Sequence, residues 1–497
     1  MTKNNYKNYV KKRLNIFNFS PGVVLEKNEF SVPENCATNC YNIKFDNGVL
    51  TCGNGFEQLT LPTTKTLGSE ERHLNYGSLR FKKFWRYKYY SYYNLCNEYI
   101  LLGYANDGYI YYTDMFGYDK SFIKLGSQQF AEQPIGLTFR INGKECIGFT
   151  SPSDPFLVWV CDEEPYTVES VPKFLSLCLH NDRLFAIDSE KNYLIRYSSN
   201  LNPLDWKSNV SSTSGGIIEV NDYKGMLRNL ISFQDNVYVF RDFGISKISG
   251  YAANSIFSAV NIYNSSCKIF CSTACVCGSD IYFMAEDGLY KCDGFNVSKV
   301  DNSFSSMLKN QNQLAANACF YEGKYYIACA LKFKDEMQPS IEMFKHTNNS
   351  LIEFDISSKT YNITRGMDIT DMLAVKDENI SKLLLCMNEN YSQRFWQLNN
   401  SGIFDNLTLL KKWQGGKINF ENFDKAKILK EVWLISKYDS VLQIETDEQT
   451  RTYNIFGKDI TQKVRINLSG KYFKFTFLNK GKNFYIEAPQ FVFNVEN

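Results

Sequence analysis

Several ingredients of common chemistry are scarce in this chain of 497 residues. It has three histidines, His73, His180 and His346, with none near another in sequence. A sequence-local Cys/His or His-rich metal motif is therefore absent, although a triad assembled in space stays open. An excess of charge of either sign is missing too. With 55 basic and 53 acidic residues the net charge is +2, whereas a protein built to grip duplex DNA usually carries a basic excess. Proline (11) and glycine (29) are too few for a collagenous or low-complexity chain. No apolar run of roughly 18 residues occurs, so no membrane-spanning helix is expected. Met1 to Phe19 lack a continuous apolar stretch, so no signal peptide is expected either. The 15 cysteines, an odd number, then read as reduced thiols. No G-x-x-x-x-G-K-[ST] loop and no G-x-G-x-x-G after a strand appears, and Gly53-Asn54-Gly55 lacks the third glycine and the following helix.

What is abundant is aromatic. Phe, Tyr and Trp make up 15% of the chain, including 33 Tyr and 38 Phe, a composition that suits pleated, half-buried surfaces. The middle of the chain repeats a polar turn followed by an apolar run. Examples are Asn181-Asp182 before Leu184-Phe185-Ala186-Ile187, Asp235 before Val237-Tyr238-Val239-Phe240, Asp280 before Ile281-Tyr282-Phe283-Met284, and Gly323 before Tyr325-Tyr326-Ile327. From Asp182 to Asp235, Asp280 and Gly323 the steps are 53, 45 and 43 residues, the period of one four-stranded propeller blade. Looser copies precede these, at 79–125 and 132–165, and a further pair follows, from Leu351 to Asp355 and from Leu383 to Leu398. The fold class is thus all-β: a β-propeller of six or seven blades with a C-terminal antiparallel β-sandwich-like domain. The predicted organisation is an N-terminal arm over 1–21, basic through Lys3, Lys7, Lys11, Lys12 and Arg13, a propeller over 22–402, and a C-terminal β domain over 403–497. Short helices are predicted near 303–310 and 368–373.

Candidate chemistry is thin. Cys267, Cys271, Cys275 and Cys277 stand in a C-x3-C-x3-C-x-C pattern with Cys292 beyond. Zinc is conceivable there, but buried small thiols are the simpler reading. Acids recur in turns: Asp107, Asp154, Asp182, Asp205, Asp235, Asp242, Asp280, Asp287 and Asp355. Two of them could serve a glycosidase, yet repetition at equivalent turn positions points to backbone capping. Ser153-Asp154 and Ser279-Asp280 do not continue as Ser-x-Asp-x-Gly-x-x-Trp boxes. No catalytic, cofactor-binding or metal residue is therefore assigned.

Two blocks carry a family resemblance. The first is Pro33 to Phe56, built on Asn42, Phe45, Gly48, Leu50, Gly55 and Phe56. The second runs from Asn181-Asp182-Arg183-Leu184-Phe185 through Asn202-Pro203-Leu204-Asp205-Trp206 and Gly215-Gly216 to Phe243-Gly244-Ile245, with a later Trp413-Gln414-Gly415-Gly416-Lys417-Ile418-Asn419-Phe420. The succession resembles tailed-bacteriophage virion proteins of the tail-hub, nozzle and packaged-DNA-stabilisation type. That resemblance implies a non-enzymatic structural protein without cofactors, located in the virion tail and in host cytoplasm during assembly. It would form a ring, usually a homohexamer, below the portal, against portal, adaptor and other tail proteins. Phage DNA would pass without sequence-specific binding, and the chain would not insert into a membrane. The alternative is a propeller tail protein that binds or hydrolyses glycans, for which Asp182 or Asp287 would be an essential acid.

Overall fold

The polar turns of the repeat form because their residues tolerate a left-handed backbone. Asn142-Gly143, Asn181-Asp182 and Glu322-Gly323 all have both φ angles positive, the geometry that joins two twisted antiparallel strands through a two-residue turn. In the computed structural model the chain accordingly folds almost wholly into antiparallel strands. The structure describes residues 9–496 apart from 21, 25–27, 64–69, 209–212, 221, 252–255, 302, 309–312, 314, 334, 336–347, 378–379, 389–394, 406 and 421–423. Lys3, Lys7 and His346 lie outside the described residues.

Among the described residues six four-stranded meanders and a seventh, composite sheet follow one another as blades of a β-propeller. Blade one spans Phe81 to Lys124, two Ile135 to Val168, three Phe174 to Glu219, four Leu227 to Asn264, five Ile269 to Asp301 and six Asn317 to Arg365. Blade seven takes three strands from Ile369 to Asn399, and its fourth comes from the N-terminal part of the chain, Gly55–Gln58, with the two-residue strands Ile403–Phe404 and Leu407–Thr408 added beyond it. Inner strands of successive blades pack together, and blade seven packs on blade one, so the circuit closes.

Apart from a short two-stranded sheet, Thr60–Pro62 with Glu71–His73, the remaining strands form a two-sheet sandwich. We label its N-terminal strands β1 (Tyr9–Asn15), β2 (Ala37–Tyr41), β3 (Ile43–Asp46) and β4 (Val49–Cys52). One sheet joins β1, β3 and β4 to strands Tyr485–Glu496, Lys427–Ser436 and Lys458–Gly470. The other joins β2 to Lys411–Ile418, Phe473–Asn479, Ser440–Glu445 and Thr450–Ile455. Alternation of buried and half-buried residues along Lys427–Ser436 and Ser440–Glu445 fits a two-layer stack. Between the layers Phe475 stacks on Phe491 at 3.9 Å, and Trp413 meets Phe19 edge-on at 5.1 Å.

Three expectations need correction. Of the arm expected over 1–21, residues 9–20 are not an arm: β1 pairs with Tyr485–Glu496 over seven residues, and Leu14, Ile16 and Phe19 are buried while Lys11, Lys12 and Arg13 before them are exposed. The propeller does not begin at 22. Asn47-Gly48 turns a hairpin between β3 and β4, but both strands belong to the sandwich, which thus extends well beyond 403–497. Residues 369–373 begin a strand rather than a helix. A bulge between Ile369 and Asp371 offsets the alternation by one residue, which gives Ile369, Met372 and Leu373 a helix-like spacing. The other predicted helix exists as one turn, Ser305–Leu308. No helix among the described residues is long and apolar enough to cross a membrane.

Candidate functional site: the ring belt and the ring–sandwich junction

The innermost strands share a device. In blades one, three, four and seven a bulge interrupts the strand near its start, at Phe81/Lys83, Phe174/Ser176, Leu227/Asn229 and Ile369/Asp371. A polar side chain beside the bulge then reaches the neighbouring blade. Ser176 Oγ donates to Asn229 Oδ1 at 3.2 Å and accepts from the Leu230 amide at 3.1 Å. Asn229 Nδ2 donates to the Cys271 carbonyl at 3.0 Å, and Ser272 Oγ to that of Ala316. Asn317 Nδ2 donates to the Thr370 carbonyl at 2.9 Å, and Thr370 Oγ1 to that of Lys82 at 3.2 Å. From blade one to blade two the contact is steric: Trp85 lies over Gly136, where a Cβ would come within 2.7 Å of the indole nitrogen. The belt surrounds an axial cavity of about 740 Å³. Asp371, buried, takes the Phe84 amide at 3.2 Å and the Lys83 ammonium at 3.3 Å. Burial pushes its carboxyl up, and Lys83 only partly opposes that.

A second polar cluster joins ring to sandwich. Glu353, fully buried on the third strand of blade six, accepts from Lys324 of its own blade, from Lys44 of β3 at 3.3 Å and from Asn54 Nδ2 at 2.8 Å. Burial alone would raise its carboxyl, but the two ammoniums prevail and hold it below the usual range. Nearby, Asp335 accepts from the Tyr41 hydroxyl at 2.8 Å, the Lys412 ammonium at 2.8 Å and Arg365 at 3.0 Å. Asn42 sits at the seam with φ 58°. Its amide donates to the Ile363 carbonyl (2.8 Å), its Nδ2 donates to the Leu410 carbonyl (2.7 Å), and its Oδ1 accepts from the Arg365 amide (2.8 Å). Gly55 passes so close to Asn399 and Ser401 that a Cβ would lie 2.2 Å from the serine oxygen. Each motif residue at 42, 48, 50, 55 and 56 therefore has a structural task. Gly48 turns a hairpin, Leu50 fills the sandwich core, and Phe56 packs on Phe404.

Residues singled out for chemistry fall elsewhere. His180 touches Ser232 of the next blade through Nδ1 at 2.9 Å and Asn181 through Nε2 at 3.0 Å, and burial depresses its basicity. His73 lies on the short strand Glu71–His73. Cys267 precedes the inner strand of blade five, Cys271, Cys275 and Cys277 lie on it, and Cys292 ends the third. All 15 cysteines are free, and burial pushes the Cys271 thiol up to about 12. Among the described residues no group of three or more His, Cys, Asp and Glu side chains is placed to hold a metal. The turn acids mostly cap backbone. Asp107 accepts from the Tyr109 amide, Asp205 from Lys207, Asp242 from Met226, and Asp355 from Ser357 and Ser358. Asp182 ends a first-to-second-strand turn and Asp287 a second-to-third-strand turn, so they stand on opposite rims of the ring and cannot flank one bond. Asp287 accepts from Tyr290 and Lys299, whereas Asp182 faces a rim groove. Neither belt nor junction is visible as a motif in the sequence. The signal available is an apolar residue followed two positions later by Ser, Asn or Asp at the starts of blades three, four and seven.

No family model matches this chain, and no curated protein does. Among solved structures, Raptor from Chaetomium thermophilum aligns with 65% of this chain at 9% identity and a TM-score of 0.41. Hsv2 from Kluyveromyces lactis aligns with 54% at 9% identity and 0.33, covering 81% of Hsv2. The Pan2 WD40 domain of Neurospora crassa aligns with 60% at 6% identity and 0.36, covering 85% of that domain. This chain spans 28% of the length of Raptor. The likeness is one of fold, that of an all-β propeller.

Proposed function

We propose that this chain is a non-enzymatic structural protein of a tailed bacteriophage. In this reading it is a ring-forming component of the tail hub or nozzle that lines or closes the DNA exit channel below the portal. One pairing carries the reading. The two end blocks of the family resemblance, Pro33–Phe56 and Trp413–Phe420, are strand partners: Cys40 lies opposite Trp413 and Asn39 opposite Gln414, and Thr38 Oγ1 donates to the Gly415 carbonyl at 3.0 Å. Motifs about 375 residues apart thus make one structural unit, as expected if the resemblance marks a shared scaffold rather than scattered matches.

The physical properties suit the role. A closed circuit of blades is stiff, and its loops offer broad surfaces to neighbours. A net charge of +2 gives DNA little to bind as it passes. The partners are copies of the same chain in a ring, taken to be a homohexamer, with portal, adaptor and other tail proteins. Mass spectrometry and cryo-electron microscopy of purified particles test this. The reading expects the chain beside the portal at fixed copy number; its absence from particles overturns it. Hydrolysis of a host glycan that Asp182→Asn abolishes would favour the enzymatic alternative.

A further inference from the structure

The rim of blades one to three carries a rigid, aromatic and acidic surface. In blade one the turn between the first two strands exposes Tyr92, Tyr93 and Leu95 at 59%, 88% and 73%. Apolar side chains this exposed at one tip are unusual unless something covers them. The tip is also locked in place. Asp162 of blade two accepts from Ser91 Oγ at 2.8 Å and from the Tyr92 and Tyr93 amides at 2.7 and 3.3 Å, and Tyr90 packs edge-on against Tyr92. A tip held this way loses little entropy on contact.

The charge around the tip is negative. Glu98 flanks it, and Glu163 and Glu164 follow Asp162. Lys144 pairs with Glu163 and Arg140 with Glu145, but among the described residues no lysine or arginine pairs with Glu98, Glu164 or Asp182. Beyond this lies a groove of about 700 Å³ between blades two and three, with Phe139, Leu179, Leu201 and Pro203 in its walls, Asp182 at its edge and Arg140, paired with Glu145, also lining it. A nucleic-acid backbone would be repelled here; a cationic protein surface would be attracted.

The complement lies on the sandwich. Among the described residues β1 pairs only with Tyr485–Glu496. It exposes Lys11, Lys12 and Arg13, none within salt-bridge distance of a carboxylate among the described residues, and Val10 and Phe17 are exposed beside them. Cations on an edge strand oppose addition of another strand, so the contact is made by side chains. Within one molecule the sandwich packs on blade six, through β2, β3 and the blade's outer strand, away from blades one to three. We propose that the acidic, tyrosine-tipped rim of blades one to three receives the basic β1 edge of a second copy of this chain. Because the two patches differ, the contact runs head to tail and closes into a ring if its rotation permits. This deepens the ring reading above and rests on it.

Sedimentation velocity of the full chain, with zero-length carbodiimide cross-linking of a mixture of ¹⁴N and ¹⁵N protein, tests the contact. Self-association is expected, with mixed-isotope links joining Lys11 or Lys12 to Glu98, Glu164 or Asp182. The Lys11→Glu/Lys12→Glu and Glu98→Lys/Glu164→Lys variants should each associate about tenfold more weakly, and mixing the two should restore association. Tyr92→Ala/Tyr93→Ala should weaken it without changing the charge. A protein monomeric at every concentration, links that map elsewhere, or no rescue on mixing overturns the proposal. A glycan or another protein as occupant would show as binding unaffected by the β1 charge reversal. Particle composition separates the two claims. A chain present in particles without these links defeats only the contact, and links formed by a chain absent from particles defeat only the tail assignment.

Discussion

The ring and the sandwich reach closure by opposite routes. In the ring, neighbours in space are neighbours in sequence: each blade packs on the next, and a single strand, Gly55–Gln58, closes the circuit. In the sandwich, neighbours in space come from opposite ends of the chain, as Tyr9 does with Glu496 and Cys40 with Trp413. The two regions also treat buried charge differently. Asp371 in the belt has one ammonium and is pushed up by burial; Glu353 at the junction has two and is held down. The ring is therefore a chain of local contacts with a modest polar belt, while the sandwich depends on a few long-range pairings whose loss nothing nearby replaces.

The largest expected effect comes from removing residues 1–21. A dispensable arm would leave the melting temperature unchanged. Loss of β1, with Leu14, Ile16 and Phe19 buried, should instead cost several kcal/mol, at roughly 1.5–3 kcal/mol per large apolar side chain, and appear as a large drop in thermal midpoint or as insoluble protein. Next is Glu353→Ala, which leaves Lys44 and Lys324 without their carboxylate. Loss of one partner of a buried pair costs about 3 kcal/mol, read by chemical denaturation. Asn42→Ala removes two side-chain hydrogen bonds at the seam and should cost about 2 kcal/mol. Asn229→Ala, in the belt, should cost about 1–2 kcal/mol, because its neighbours stay held by their own strands.

The smallest effect is Asp371→Asn, and it sharpens the comparison through pH. A carboxyl whose folded pKa is raised contributes stability below the unfolded value, here 3.8, that is lost as pH rises through the folded value. At neutral pH its charge is a cost, so Asp371→Asn should be neutral or slightly stabilising at pH 7. Glu353 has the opposite sign. Its folded value is depressed, so its contribution is present above the unfolded value of 4.5 and is lost as pH falls through the folded one. Thermal melts of wild type and Glu353→Gln should therefore draw together as pH falls below 4.5 and meet only once it has passed the folded value, whereas those of wild type and Asp371→Asn should differ least below 3.8.

What could be read from sequence follows the same division. The blade repeat was legible because blades one to six are each written contiguously, with turn residues that tolerate positive φ, such as Asn181-Asp182 and Glu322-Gly323. The sandwich was only half legible. The alternation in Val464-Arg465-Ile466-Asn467-Leu468 announces a strand, but nothing local to Tyr9–Asn15 says that its partner lies at 490–496, and its run of cations hides the buried Leu14. The belt was hidden because a bulge breaks the alternation at the start of blades one, three, four and seven. The junction was hidden because Asn42, Asp335 and Glu353 acquire meaning only once sandwich and ring are in contact.

The central claim is that both ends of the chain build one sandwich stitched to a closed ring. Hydrogen–deuterium exchange of the full chain, read by mass spectrometry, tests it most directly. Residues 9–15 and 37–41 should be protected as strongly as 411–418 and 485–496, and Asn42→Ala should weaken protection in both groups together. Rapid exchange across 9–52 beside a protected C-terminal segment would contradict the account.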